Sequence, residues 1–274
     1  MVLSSRWREK GMGVKVHPFA VVEKGAELDD DVEIGPFSYI GPNVKIGRGV
    51  KIGTNVHIEG HTEIGENCVI RHGAAIGFPP QDVAFKGEKS FVKIGKNNTI
   101  REFVTIHRAS GEGESTIVGD NNFIMAYAHL AHNVKIGSNV VIVNGAQLAG
   151  YVEVGDRAFI SGLVAIHQFV RIGAYAIVGG VSRVSQDVPP FFMAVGIPLR
   201  VVGLNIVGLR RNGFSSERIS IIKKAYKILY RSGLKLSEAI KKIEEELPLN
   251  EDIKMLLDFL KASKRGITLK GGER

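Results

Sequence analysis

Residues 32–58 read VEIGPFSYIGPNVKIGRGVKIGTNVHI, and an isoleucine returns at every sixth place, at Ile34, Ile40, Ile46, Ile52 and Ile58. That period is neither the 3.6 of an amphipathic helix nor the 2 of a half-buried strand. Stepping by six from Val16 to Val184 passes 29 positions, 26 of them Val, Ile or Leu; the exceptions are Asp82, Glu88 and Glu112. Four places after each aliphatic stands a second column of small or β-branched residues, from Ala20, Ala26 and Val32 through Cys68 and Ala74 to Val104, Ala128, Ala158 and Val164. Two inward positions in every six, parted by tight turns, describe one side of a polygonal coil, the pattern of a hexapeptide parallel β-helix. Three hexads close a coil of 18 residues, so the run predicts roughly ten coils stacked about 4.8 Å apart.

The composition agrees. Gly makes up 33 of 274 residues, well above the roughly 7% of average chains, as a chain of repeated tight turns requires. Two stretches, 78–93 and 108–116, leave the pattern and return in phase, which predicts loops outside the coil. After Pro189-Pro190 the spacing turns helical over 215–231, 236–247 and 251–264, so the expected organisation is an N-terminal extension over 1–13, expected to be disordered, a β-helix over 14–190 and an α-helical domain over 191–274. A start at Met12 is as plausible as one at Met1. No run approaches the ~18 apolar residues of a spanning helix, and the first residues lack the apolar core of a secretory signal. A single cysteine, Cys68, in an inward column reads as an inert small hydrophobe in a reducing cytoplasm. The net charge of +8 lies wholly in residues 190–274, which hold 17 Lys/Arg and 9 Asp/Glu. A basic excess confined to one end predicts an anionic partner for that end, and no nucleic acid is expected.

The eight histidines stand at 17, 57, 61, 72, 107, 129, 132 and 167, none in an inward column, so each is expected to point outward. Stacking by 18 puts His132, Gly150 and Gln168 in one outward row. A base, an unobstructed backbone N–H and an amide in one row suit acyl transfer: the imidazole deprotonates a hydroxyl and the glycine N–H stabilises a tetrahedral oxyanion. A three-histidine zinc site is disfavoured, because no third His lies 18 residues from His129 or His132. Neither a metal nor a cofactor is expected, and no GxxxxGK[ST] loop is present.

The motifs AHLAHN (128–133), QLAG (147–150), AIHQF (165–169), IGAY (172–175), QDVPP (186–190) and AYKILYRSG (225–233), with IGPF (34–37) and VTIHR (104–108), closely resemble the UDP-N-acetylglucosamine 3-O-acyltransferases that begin lipid A synthesis. The resemblance runs from about Val16 to Gly266. It implies a left-handed coil, a homotrimer with active sites between adjacent β-helices, acyl transfer from acyl carrier protein to a UDP-sugar, and no metal. In its terms His132 matches the general base and Gly150 the oxyanion-hole amide. Gln81 and Asp82 match sugar contacts, while His129, His167 and Gln168 match the cleft lining. Gly180 matches the limit on acyl length, although a glycine there also suits a tight turn. Asn205 and Arg211 match nucleotide or carrier contacts. The chain departs from the best-known pattern at Ala84 for Lys, Asn133 for Asp beside the base, Tyr151 for a cleft His, Val207 for Glu and Asn212 for Arg, which leaves open whether the acceptor carries a 3-hydroxyl or a 3-amine.

Three other readings fit less well. The sister N-acyltransferases carry a uridine-binding domain before their repeats, whereas here hexads begin at Val16. Serine-type acetyltransferases using acetyl-CoA place helices before the coil, and this chain places them after it. A non-catalytic scaffold gives no reason for clustered outward histidines and two phased loops.

Overall fold

The computed structural model describes residues 8–10 and 13–268. They build a left-handed parallel β-helix of triangular section followed by helices. The three faces carry twelve, nine and eight strands, here the long, middle and short faces. Each hexad contributes a strand of two to four residues to one face, and the chain visits long, middle and short faces in turn.

Register explains the three broken positions of the repeat. On the long face Ile34 pairs with Ile52 and Ile52 with Ile70, one 18-residue coil apart; Ile70 then pairs with Ile100 and Ile100 with Ile124 before the 18-residue step resumes at Ile142. The two longer steps exceed a coil by two hexads and by one hexad. Asp82 and Glu88 therefore leave with the first loop and Glu112 with the second. Because each insertion is a whole number of hexads, the inward columns stay inward. The long face keeps ten parallel rungs, in line with the expected coil count.

Inside, Ile34, Ile40, Ile58, Ile70, Ile76 and their successors are fully buried in one continuous apolar column. Several inward positions are polar, and Asn98 is answered from within: its Nδ2 donates to the Gly95 and Gly119 carbonyls at 2.9 and 2.8 Å, and its Oδ1 accepts from the Asn122 N–H at 2.8 Å. Burial pushes the Cys68 thiol up, consistent with an inert side chain.

The turns hold a surprise. The left-handed residue of each corner lies three places after the aliphatic, and it is often not glycine: Phe37, Asn55, Tyr127 and Tyr151 stand there with φ of 59°, 54°, 61° and 60°. The glycines that directly follow the aliphatics answer to a different constraint. A Cβ on Gly65 would lie 2.7 Å from the backbone carbon of Gly95 in the next coil, a distance closed to any side chain in an interior packed this tightly.

Both ends differ from expectation. Residues 8–10 pair antiparallel with Val14–Val16, so that part of the expected disordered extension is a strand; residues 1–7 and 11–12 lie outside the described residues. Beyond residue 190 the chain does not turn helical at once. Phe192–Val195 and Arg200–Leu204 first extend the long face, the second strand antiparallel. Helices α1 (Ile206–Arg211), α2 (Ser216–Arg231), α3 (Leu236–Glu246) and α4 (Glu251–Lys261) follow, α1 being a short helix the spacing does not announce. Ser215 caps α2 by accepting from the Arg218 N–H at 3.2 Å, and Arg218 forks onto the buried Asp252 carboxylate at 2.7 and 2.9 Å to tie α2 to α4. The last described segment returns to the coil at Asp187, which is fully buried. Its carboxylate accepts from Ser263 Oγ at 2.7 Å and from the Arg171 N–H at 2.8 Å, while its own N–H donates to the Gly266 carbonyl.

Candidate functional site

The corner between the middle and short faces collects most of the expected residues. His132 follows the middle-face strand His129–Leu130, Gly150 follows Gln147–Leu148, and Gln168 follows Ala165–Ile166. Both loops leave from this corner, since the first joins Ala75–Phe78 to Phe91–Ile94 and the second joins Thr105–His107 to Ser115–Val118. They brace one another: the Lys89 N–H donates to Glu112 at 2.9 Å, the Gly113 N–H to the Lys89 carbonyl at 2.8 Å, and the Arg108 guanidinium lies over the Phe85 ring. An open groove of about 470 Å³ runs along the corner, lined by Gln81, His129, His132, Gly150, His167 and Gln168 among others.

Among the described residues, the His132 ring is hydrogen-bonded on one side only. Its Nδ1 lies 2.9 Å from Asn133 Oδ1. That oxygen is an acceptor because Asn133 Oδ1 also accepts from the Ser110 N–H at 2.9 Å, while Asn133 Nδ2 donates to the Ser110 carbonyl at 3.1 Å. The neutral imidazole therefore carries its proton on Nδ1 and leaves the Nε2 lone pair free toward the groove. Asn133 is itself buried, and its backbone N–H donates to Thr116 Oγ1 at 2.9 Å. The asparagine in place of an aspartate still accepts from Nδ1, though without a charge beside the ring. Tyr151 sets its ring edge-on to His132 at 5.4 Å and stacks on Phe169 at 4.9 Å.

Gly150 lies directly under the imidazole. A Cβ there would stand 2.6 Å from His132 Nε2, so a glycine is required by the ring it supports. Among the described residues the Gly150 N–H has no acceptor. A base nitrogen and a free N–H thus stand side by side on one wall of the groove.

The groove lining includes the cationic Arg183, while His129 and Asp82 beside the base are neutral and acidic. His129 Nδ1 shares a 2.7 Å hydrogen bond with Thr105 Oγ1. Burial first, then the nearby His107 and His132, lower its pKa from 6.5 to about 4, so it is uncharged at neutral pH. Asp82 accepts from the Ala84 N–H at 2.9 Å; that bond first, then the Ser110 side chain, hold its carboxyl below the ordinary range, with His132 also acting on it. His167 Nδ1 lies 3.2 Å from Arg265 of the returning C-terminal segment. Among the described residues no group of three or more His, Cys, Asp or Glu is placed to share a metal ion, and no helix is long and apolar enough to cross a membrane. Of the histidines, His17 is a buried exception to the outward pattern.

Three expected residues are elsewhere in the chain. Gly180 lies between Ile177–Val178 and Arg183–Val184, at the corner of the long and middle faces. Its φ is not left-handed and an added Cβ would approach nothing closer than 3.4 Å, so no turn demands a glycine there. Asn205 and Arg211 belong to the third corner, where α1 docks: Asn205 caps α1 by accepting from the Gly208 N–H at 3.0 Å and donates to the Tyr175 carbonyl at 2.9 Å. Asn212, nearby, accepts from Arg157 at 2.7 Å. Arg211 is exposed. Residue-level reading missed Ser110 and Thr116, which hold Asn133, and Thr105 and Arg265, which meet His129 and His167. The only hint of the first two lay in the phased return of the second loop over Asn133.

Known proteins share this fold and sequence. Residues 187–268 match the model for domain 2 of UDP-N-acetylglucosamine O-acyltransferase, and residues 43–77 and 115–150 match the bacterial transferase hexapeptide model. A curated acyl carrier protein-dependent UDP-N-acetylglucosamine O-acyltransferase of Thermodesulfovibrio yellowstonii is 59% identical over 92% of this chain and 98% of its own; one of Sulfurihydrogenibium sp. is 57% identical over 95% and 97%. The fold matches the UDP-N-acetylglucosamine acyltransferase of Francisella novicida with a TM-score of 0.91 and 40% identity, over 94% of this chain and 95% of that one. It matches the enzyme of Bacteroides fragilis at 0.88 and 44%, over 91% and 98%. Since such identity extends over more than nine-tenths of the chain, the chain belongs to the UDP-N-acetylglucosamine O-acyltransferase family.

Proposed function

We propose that the protein moves a 3-hydroxyacyl group from acyl carrier protein to the 3-hydroxyl of UDP-N-acetylglucosamine, the first step of lipid A biosynthesis, in the cytoplasm and as a homotrimer. The observation that carries the reading is the His132 ring, held at Nδ1 by Asn133 and packed against Gly150, whose N–H has no acceptor among the described residues. His132 Nε2 takes the proton of the sugar hydroxyl as its oxygen attacks the thioester carbonyl. The carbonyl π pair moves onto oxygen, and the Gly150 N–H donates to the oxyanion so formed. Collapse restores the carbonyl and breaks the C–S bond; the imidazolium returns its proton to the thiolate, leaving an ester and a free thiol. Asn133 keeps the ring in the tautomer this sequence needs. Gln81, Asp82, His129, Tyr151, His167 and Gln168 bind the sugar and line the cleft. No metal or cofactor is invoked.

Two features support the assembly. The long–middle corner presents a ridge of exposed apolar side chains, including Phe19, Phe37, Tyr127, Leu163 and Val181, four of the five more than 60% exposed; ridges of this kind mark contact surfaces. The expected substrate residues are also divided among the three corners of one coil, so only a neighbouring copy brings Gly180, Asn205 or Arg211 to a groove built around His132. Lys223, Lys224 and Lys227 are exposed together on α2 and suit an acidic carrier.

Mass spectrometry of products from the purified protein, offered mixed acyl carrier thioesters with UDP-N-acetylglucosamine and its 3-amino analogue, tests the reading. Ester formation on the hydroxyl sugar is expected; amide product alone, or no product, sinks it. His132→Ala is expected to lose on the order of 10²-fold or more in kcat with its fold intact. Near-normal turnover would remove His132 from the mechanism.

A further inference from the structure

Arg265 lies 98 residues beyond His167 in the chain, on the segment that follows the last helix, yet the two side chains meet at the edge of the groove. His167 Nδ1 faces two groups at once: Arg265 Nη2 at 3.2 Å and the Gln168 carbonyl at 3.2 Å. One nitrogen cannot serve both. A guanidinium only donates and a carbonyl only accepts, so a protonated Nδ1 would bond Gln168 and turn its hydrogen on Arg265, whereas a bare Nδ1 accepts from Arg265. The bond from the guanidinium is charge-assisted and the stronger of the two. It leaves the ring proton on Nε2, which has no protein partner among the described residues.

The arginine is held where this requires. Its segment is locked to the last coil by Ser263 Oγ on the buried Asp187 carboxylate at 2.7 Å, by the Asp187 N–H on the Gly266 carbonyl at 2.9 Å and by the Thr268 N–H on the Asp187 carbonyl at 2.8 Å. Arg265 Nη2 also reaches the Ser185 carbonyl at 3.4 Å. Behind the corner Arg265 borders a second cavity, of about 520 Å³, with Phe169 and Tyr151, the latter packed edge-on against His132. The C-terminal segment therefore reaches a histidine of the groove wall and does more than cap the coil.

We infer that Arg265 is a positioning residue: it fixes His167 in the Nε2–H tautomer, so that His167 serves the groove as a hydrogen-bond donor to a substrate oxygen. The donor role rests on the acyltransferase reading; the tautomer does not. The test uses the full chain labelled with ¹⁵N-histidine, with the His167 resonances identified by their loss in His167→Gln. Long-range ¹H–¹⁵N spectra should show Nε2–H in the native protein and in Arg265→Lys, which keeps a cationic donor, and Nδ1–H in Arg265→Met, which frees the ring to bond Gln168. Arg265→Met should lower kcat/KM on the order of 10-fold, the scale on which orienting partners of functional imidazoles act, with an unchanged melting temperature. In the His167→Gln background the same change should cost less than about 2-fold, as expected of two residues acting as one unit. The inference is overturned if the native ring is Nδ1–H, if Arg265→Met leaves the tautomer unaltered, or if its activity cost is as large without His167. A native protein that transfers no acyl group sinks the acyltransferase reading, while the spectra still decide the role of Arg265 on the ring.

Discussion

Two atoms of the groove leave no freedom in their neighbours. The His132 ring occupies the space where any side chain on Gly150 would begin, so Gly150→Ala must push the imidazole away from its Asn133 bond or off the N–H beside it. The expected result is a loss in kcat of at least 10²-fold, comparable with removing the base, at a nearly unchanged melting temperature; normal turnover would show that the ring's seat does not matter. His129 gives a second residue-scale expectation. Its pKa is about 4 in the fold against an ordinary 6.5, because burial and the charges of His107 and His132 oppose protonation. Between these values the unfolded chain takes up a proton that the folded chain refuses, so this group makes stability fall as pH drops from 6.5 toward 4. Denaturation midpoints measured across that window should fall less steeply for His129→Gln. Parallel slopes for the two proteins would contradict the assignment.

At the scale of the element, the repeat is governed by contact between coils as much as by the conformation of each turn. Asn and aromatic residues share the left-handed corner positions with glycines such as Gly49 and Gly145, while other glycines stand where one backbone lies on the next. Gly65 shows the difference, since its φ is ordinary and the obstacle to a Cβ is the Gly95 backbone 2.7 Å away. Gly65→Ala should cost about 1–3 kcal/mol through overpacking, read as a lowered denaturation midpoint. Gly203→Ala, where a Cβ would meet nothing within 4 Å and φ is also ordinary, should be nearly neutral. Equal costs at the two positions would assign the glycines to turn geometry after all. The loops obey the same rule, because insertions of whole hexads keep every later strand in register, and the space they occupy outside the coil brings Ser110 onto Asn133.

For the whole molecule the decisive fact is that the residues proposed to contact substrate lie at three different corners of the β-helix. Gly180 cannot reach the groove of its own chain, and nothing in the fold requires a glycine at that position. Gly180→Met should therefore fold normally and, with a neighbouring copy placing position 180 against the acyl chain, lose activity on long thioesters while keeping it on shorter ones. A uniform loss across chain lengths with a lower melting temperature would instead make Gly180 a structural residue.

The six-residue period was legible from residues 32–58 alone, because coil geometry is arithmetic: 18 residues per turn place Ile34 under Ile52, and His132, Gly150 and Gln168 in one row, without reference to anything distant. The phased loops, the inward Cys68 and the approximate helix bounds followed from the same local rules. What the tertiary structure alone decided are contacts made by segments that leave the repeat. Asn133 is gripped by Ser110 only because the second loop folds back over it, Asn205 proves to be a helix cap, and Arg265 meets His167 only because Asp187 anchors a returning tail. Such contacts depend on loop closure and packing over long stretches of chain, and no period in the sequence encodes a distance of that kind.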